Sequence, residues 1–146
     1  MTKIYNGEGL ILGRVASVIA KDALLGEEVV VVNCEKLVIS GRKTNTVARE
    51  KWKWDRRGYP LKSPKYSRRP DKFVRMTIRR MLPWKIARGK EVFQNIKCFI
   101  GVPAGMEGHN MIQPKGALAK KLPTLNYATV GEVCHSLSGK DYGEDS

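Results

Sequence analysis

The sequence predicts an α/β fold, a three-layer α/β/α arrangement on a short parallel sheet, with a basic extended arm or loop attached. Three observations carry this. A strand, a helix and a second strand succeed one another within about thirty residues, the βαβ pattern of parallel sheets. Val29, Val30, Val31 and Val32 run apolar without alternation, as in a strand covered on both faces. Positive charge gathers in one stretch that no core can absorb.

Lys3, Ile4 and Tyr5 suit a first strand. Leu12, Val15, Ala16, Ile19, Ala23 and Leu24 fall on one helical face, predicting a helix over 12–25 with Gly26 as its stop. The valine run is the next strand. Residues 51–70 carry no defensible period and are broken by Gly58, Pro60, Pro64 and Pro70, so an arm over about 49–70 is expected. Asp71 is read as the N-cap of a helix to about Leu82, with Val74, Ile78 and Met81 on its apolar face. A short helix over 87–95 and a strand over 96–100 complete the pattern. The polar tail 139–146 is expected to fray.

A length of 146 residues suits a single domain spanning 1–146 with a real core. Lys and Arg number 27 against 14 acids, a net charge of +13. Residues 36–90 hold 19 basic residues and three acids, leaving eight basic and eleven acidic residues for the rest. A merely solvated surface gives no reason for such asymmetry, and a polyanionic partner does. Cys34, Cys98 and Cys134 are odd in number and widely spaced, which argues against a disulfide framework and for a reducing compartment. No apolar run approaches a membrane span, and the first residues lack the apolar core of a signal peptide. A cytoplasmic protein with no membrane partner is expected.

RNA asks a protein surface for positive charge, planar groups and an irregular backbone. The arm supplies all three. Its candidate phosphate ligands are Lys51, Lys53, Arg56, Arg57, Lys62, Lys65, Arg68 and Arg69, with Arg42, Lys43 and Arg49 just before it. Arginine can grip phosphate with two parallel N–H donors, which lysine cannot. Trp52, Trp54, Tyr59 and Tyr66 can stack on bases or pack the arm against its own domain. Lys72, Arg75 and Arg79 share a helix face, with Arg80 at its edge; without interleaved acids they repel one another, which favours a polyanion over plain solvation.

Catalysis and metal binding find no support. The cysteines, His109 and His135 lack the paired close spacing of a zinc site. Gly7-Glu8-Gly9 lacks the third glycine of a dinucleotide fingerprint. A nuclease would need converging acids for metal ions, and the basic stretch holds Glu50, Asp55 and Asp71 alone. No enzyme, cofactor, metal or small-molecule substrate is therefore expected. A free RNA-binding translational regulator meets the same charge argument as a structural RNA binder and remains the alternative.

Several motifs in series resemble large-subunit ribosomal protein thirteen in its archaeal and eukaryotic form. They are Leu12-Gly13-Arg14-Val15-Ala16-Ser17, Leu24-Leu25-Gly26, Val30-Val31-Val32-Asn33-Cys34-Glu35, Ile39-Ser40-Gly41, Arg69-Pro70, Met81-Leu82-Pro83-Trp84-Lys85, Arg88-Gly89, Gly101-Val102-Pro103 and Thr129-Val130-Gly131-Glu132. Val15, Arg80 and Trp84 depart from the family's usual Leu, Gly and His, and residues 52–66 diverge. The resemblance implies an α/β/α domain and a structural, non-catalytic role in the large ribosomal subunit, within the cytoplasm. The implied partners are large-subunit ribosomal RNA and neighbouring ribosomal proteins. Arg14, Lys43, Arg69, Arg79, Lys85 and Arg88 lie in or beside its motifs and become RNA candidates.

Overall fold

The computed structural model describes residues 2–56, 58–59, 61–63 and 66–142. The expectations placed on Arg57, Lys65 and residues 143–146 lie outside the described residues. In chain order the elements are β1 (Thr2–Asn6), α1 (Leu12–Leu24), β2 (Glu28–Val32), β3 (Val38–Ser40), α2 (Lys43–Asp55), α3 (Pro70–Met81), α4 (Ala87–Gln94), β4 (Ile96–Cys98), β5 (Met111–Ile112), β6 (Tyr127–Thr129) and α5 (Val130–Ser138).

The main sheet is parallel in the order β4-β2-β1-β5, with Ile4 beside Val30 and Tyr5 beside Val31. Side chains alternate across it. Tyr5, Val29, Val31 and Ile96 join one core with Leu12, Val15 and Ile19 of α1, Val74 and Ile78 of α3, and Val130 and Cys134 of α5. Ile4, Val30 and Val32 point the other way, against Phe99, Val102, Met106 and Met111. Both faces are thus covered, which is why the valine run carries no polar alternation. The third layer is the segment after β4, with a single 3-10 turn over Ala104–Met106, in place of a long helix. β3 and β6 form a separate antiparallel pair that hands the chain into α5.

α1 matches its predicted bounds, and the chain leaves it through Gly26 at φ 95°. Arg88 donates to the Leu24 carbonyl at 2.9 Å, satisfying one of the helix's open C-terminal acceptors. Asn33 takes a left-handed conformation (φ 54°), and its amide donates to Asn6 Oδ1 at 2.9 Å. A Cβ on Gly7 would stand 2.7 Å from the Asn33 carbonyl oxygen, so this glycine serves close packing of the β1 and β2 ends.

Four expectations need correction. The arm does not begin at 49: α2 is helical through Asp55 and ends at Arg56. The inward side of α2 is Thr46, Val47, Glu50, Lys53 and Trp54, whose spacing is helical but which includes few aliphatic groups to reveal it. Asp71 is not the N-cap of α3; Arg69 is, Pro70 opens the helix, and Asp71 sits in the first turn, ion-paired to Arg69 at 3.2 Å. Met81 is exposed, and the apolar side of α3 is completed by half-buried Phe73 and by Leu82 just beyond the helix. Part of the tail is anchored, since Tyr142 packs against the core and Asp141 meets His135 at 2.8 Å.

α5 begins with a capping box: Thr129 Oγ1 accepts from the Glu132 amide, and the Glu132 carboxylate accepts from the Thr129 amide. These amide contacts and nearby Lys43 hold the Glu132 carboxyl below the usual carboxylate range. Thr129→Ala is expected to cost about 1 kcal/mol, read as a lowered urea midpoint at unchanged m-value.

A polar cluster ties β1 to α1. The Tyr5 phenol donates to Asp22, and the Lys3 ammonium lies 3.1 Å from the same carboxylate. The phenol, with Lys3 in support, holds the Asp22 carboxyl below its ordinary range. The folded state therefore releases this proton more readily than the unfolded chain. The resulting stability is complete above the unfolded value near pH 4 and is lost as pH falls through the lowered one. Burial, and then Asp22, push the Tyr5 phenol up, so a second loss begins as pH rises past about 10. Asp22→Asn is expected to flatten the acid limb of a plot of urea midpoint against pH between roughly 2 and 5.

Candidate nucleic-acid interface

The basic stretch falls on α2, the described residues of 56–69, α3 and the turn into α4. Its cations fall into three groups. Arg42, Lys51, Lys62, Lys72 and Lys85 stand exposed to solvent. Others are held by acids: Arg49 and Lys53 meet Glu50 Oε1 at 3.3 and 2.8 Å, Lys43 meets Glu132 at 3.5 Å, and Arg69 meets Asp71.

The third group is stacked. Arg56 lies over the Trp52 ring at 4.5 Å and Arg68 over Trp54 at 3.4 Å. Arg75 covers Phe93 at 4.4 Å and also donates to the Phe93 carbonyl at 3.2 Å. Arg79 lies over Trp84 at 3.8 Å, and Arg80 stands 5.8 Å from the Tyr66 centroid. Trp84 and Phe93 meet edge to face at 5.2 Å, so Arg75 and Arg79 flank one aromatic pair. Stacking engages the flat face of a guanidinium and leaves in-plane N–H groups able to donate. It also restricts a long side chain before any ligand arrives, which lowers the entropy lost on binding.

The four aromatic stacking candidates divide. Trp52 and Tyr59 are exposed; Trp54 and Tyr66 are half-buried. Trp84 and Phe93 were not among the sequence candidates, although they carry two of the arginines. Trp84 lies five residues beyond Arg79 in sequence, but the Phe93 partnership depends on how α4 docks and has no local signal. Two motif arginines bind backbone carbonyls near the ends of α1. Arg14, in the first turn of α1, donates to the Gly116 carbonyl at 3.3 Å, and Arg88 serves the opposite end of α1.

Cys34 and Cys134 are free and buried. The neighbouring Cys98 thiol and burial push the Cys34 thiol up. Desolvation, with Asp71 and Glu50 adding negative charge, pushes Cys134 up to about 12. Both therefore stay protonated near neutral pH, unlike reactive thiolates. Among the described residues no group of three or more His, Cys, Asp and Glu is placed to hold a metal ion, and no helix is long and apolar enough to cross a membrane.

Comparison with known proteins points to one family. The family model for ribosomal protein L13 matches residues 1–104. The chain is 42% identical over 136 residues to the large ribosomal subunit protein uL13 of Methanopyrus kandleri, covering 92% of this chain and 85% of that one. It is 41% identical over 135 residues to uL13 of Archaeoglobus fulgidus, covering 92% and 86%. To uL13 of Methanosphaera stadtmanae it is 39% identical over 137 residues, covering 91% and 96%. The matched stretch runs from the sheet through the stacked arginines of α3 and beyond α4, and on these grounds the chain belongs to the ribosomal protein L13 family.

Proposed function

We propose that this protein is a structural constituent of the large ribosomal subunit that binds large-subunit ribosomal RNA and supports subunit assembly in the cytoplasm. The observation that carries the RNA contact is the row of arginines stacked on aromatic rings along α2, segment 56–69 and α3. A cation face built only for solvation has no need of such pre-ordering. A folded RNA presents phosphates in fixed positions and rewards it. The main sheet and its helices act as the rigid base, and neighbouring ribosomal proteins are the expected contacts of the remaining, near-neutral surface. The role assigns no reaction to any residue.

A tagged copy expressed at natural level is expected to sediment with large subunits through a low-salt wash. Recovery only in the soluble fractions, with subunits intact, would contradict the proposal. Binding of the purified protein to large-subunit RNA fragments is expected to weaken linearly in log–log salt plots, at somewhat under one unit of slope per phosphate contact.

A further inference from the structure

Beside the stacked arginines lies a groove of about 430 Å³, between the first turn of α1, β3, α2 and α3. That volume falls within the roughly 300–1,000 Å³ range of small-molecule sites. Its floor is apolar, with contributions from Leu12, Val38, Ile39, Phe73 and Met76. Trp54 and Tyr66 stand in its lining. Its charged lining is mostly cationic: Arg14, Arg49, Lys53 and Arg80 against a single carboxylate, Glu50. Arg49 and Lys53 both contact Glu50 Oε1, so this acid is compensated within the protein and the site remains net positive.

We propose that this groove holds one unstacked nucleotide of the bound RNA, its base against the apolar floor and its phosphate on the cationic rim. The proposal rests on the RNA-binding reading above and adds to it a base-sized cavity where a purely backbone-tracking surface would be convex. The occupant is set by complementarity. An aliphatic peptide would satisfy the floor but leave the rim cations facing one another. A nucleotide brings a flat apolar face and a negative charge a few ångströms apart, matching floor and rim together. Arg80 is placed for the phosphate, since it lines the groove with its guanidinium 5.8 Å from the Tyr66 ring centroid. Glu50 offers carboxylate oxygen to the N–H groups of a base edge.

The test uses the full chain and a hexauridylate probe carrying one 5-iodouridine, photocrosslinked and mapped by mass spectrometry. The expected crosslinks are on Trp54, Tyr66, Phe73 or Met76. A second arm blocks the groove. A Cβ built on Gly13 meets nothing within 4 Å, so Gly13→Phe adds its bulk from α1 without a backbone clash. Ser40→Phe adds bulk from β3, another part of the groove lining. Each is expected to lower hexamer affinity roughly tenfold, the scale of one lost base stack. The salt slope should stay unchanged because the rim cations remain, and Gly13→Ala should bind like the unmodified protein. Crosslinks confined to Trp52 and Tyr59, with affinity indifferent to both bulky variants, would overturn the groove site while leaving RNA binding intact. Failure of the unmodified protein to bind the hexamer even at low salt would overturn the broader reading and this site with it. A segment of a neighbouring protein crosslinked to the groove in intact subunits would overturn the nucleotide as occupant.

Discussion

A protein with alanine at position 89 is expected to lose about 2–4 kcal/mol of stability, a large effect for one methyl group. Gly89 is buried in α4, and a Cβ there would lie 2.1 Å from the Pro83 carbonyl oxygen and 2.5 Å from its carbon. Those atoms are backbone, so relief requires moving the 83–84 turn or the whole of α4. The same turn presents Trp84 beneath Arg79 and against Phe93. The substitution should therefore weaken RNA binding as well as lower the melting temperature. Gly13→Ala separates clash from helix propensity: Gly13 is also helical, but its added Cβ is free, and a gain of roughly 0.5–1 kcal/mol is expected. Chemical unfolding of the two variants side by side decides the matter, since equal effects would remove the steric explanation.

Removing the stacked cations is expected to act on binding with little change in the fold. Substituting glutamine at Arg56, Arg68, Arg79 and Arg80 together should reduce affinity for large-subunit RNA by roughly 10²- to 10⁴-fold near physiological salt, and lower the salt slope by about three units if each makes one phosphate contact. Arg79→Lys keeps the charge but loses the planar guanidinium stacked on Trp84, so a measurable part of the loss should persist. Neutralising Lys115, Lys120 and Lys121 instead is the matched control, because they are exposed and lie outside the basic surface. Filter binding across a salt series measures both quantities. A quadruple variant with an unaltered slope would show that these arginines do not face phosphate.

The legible parts of this fold are those where one face repels water strongly. The α1 stripe and the valine run are dense in aliphatic groups, and both elements stand where periodicity places them. α2 is obscured in the sequence because Thr46, Glu50 and Lys53 fill positions that aliphatic residues usually hold, and tertiary contacts with α5 stabilise what periodicity does not announce. β3 and β6 are three-residue strands almost ninety positions apart, and such pairing has no local signal. α5 is legible in principle: Thr129 and Glu132 have capping-box spacing, and Val130, Val133, Cys134 and Leu137 come at helical intervals. For the site, composition locates the basic surface and names its arginines. It cannot reveal which of them lie on aromatic rings, since Arg75 meets Phe93 only after α4 docks beside α3.

The face made by α2, the described residues of 56–69 and α3 is expected to lie on large-subunit RNA. Zero-length ultraviolet crosslinking of intact large subunits, with both partners of each crosslink identified, addresses it directly. Crosslinks to ribosomal RNA should cluster between Arg42 and Arg80 and include Trp52 or Tyr59, the exposed rings of that face. Crosslinks confined to Lys97 or the 115–121 segment, with none on α2 or α3, would contradict it.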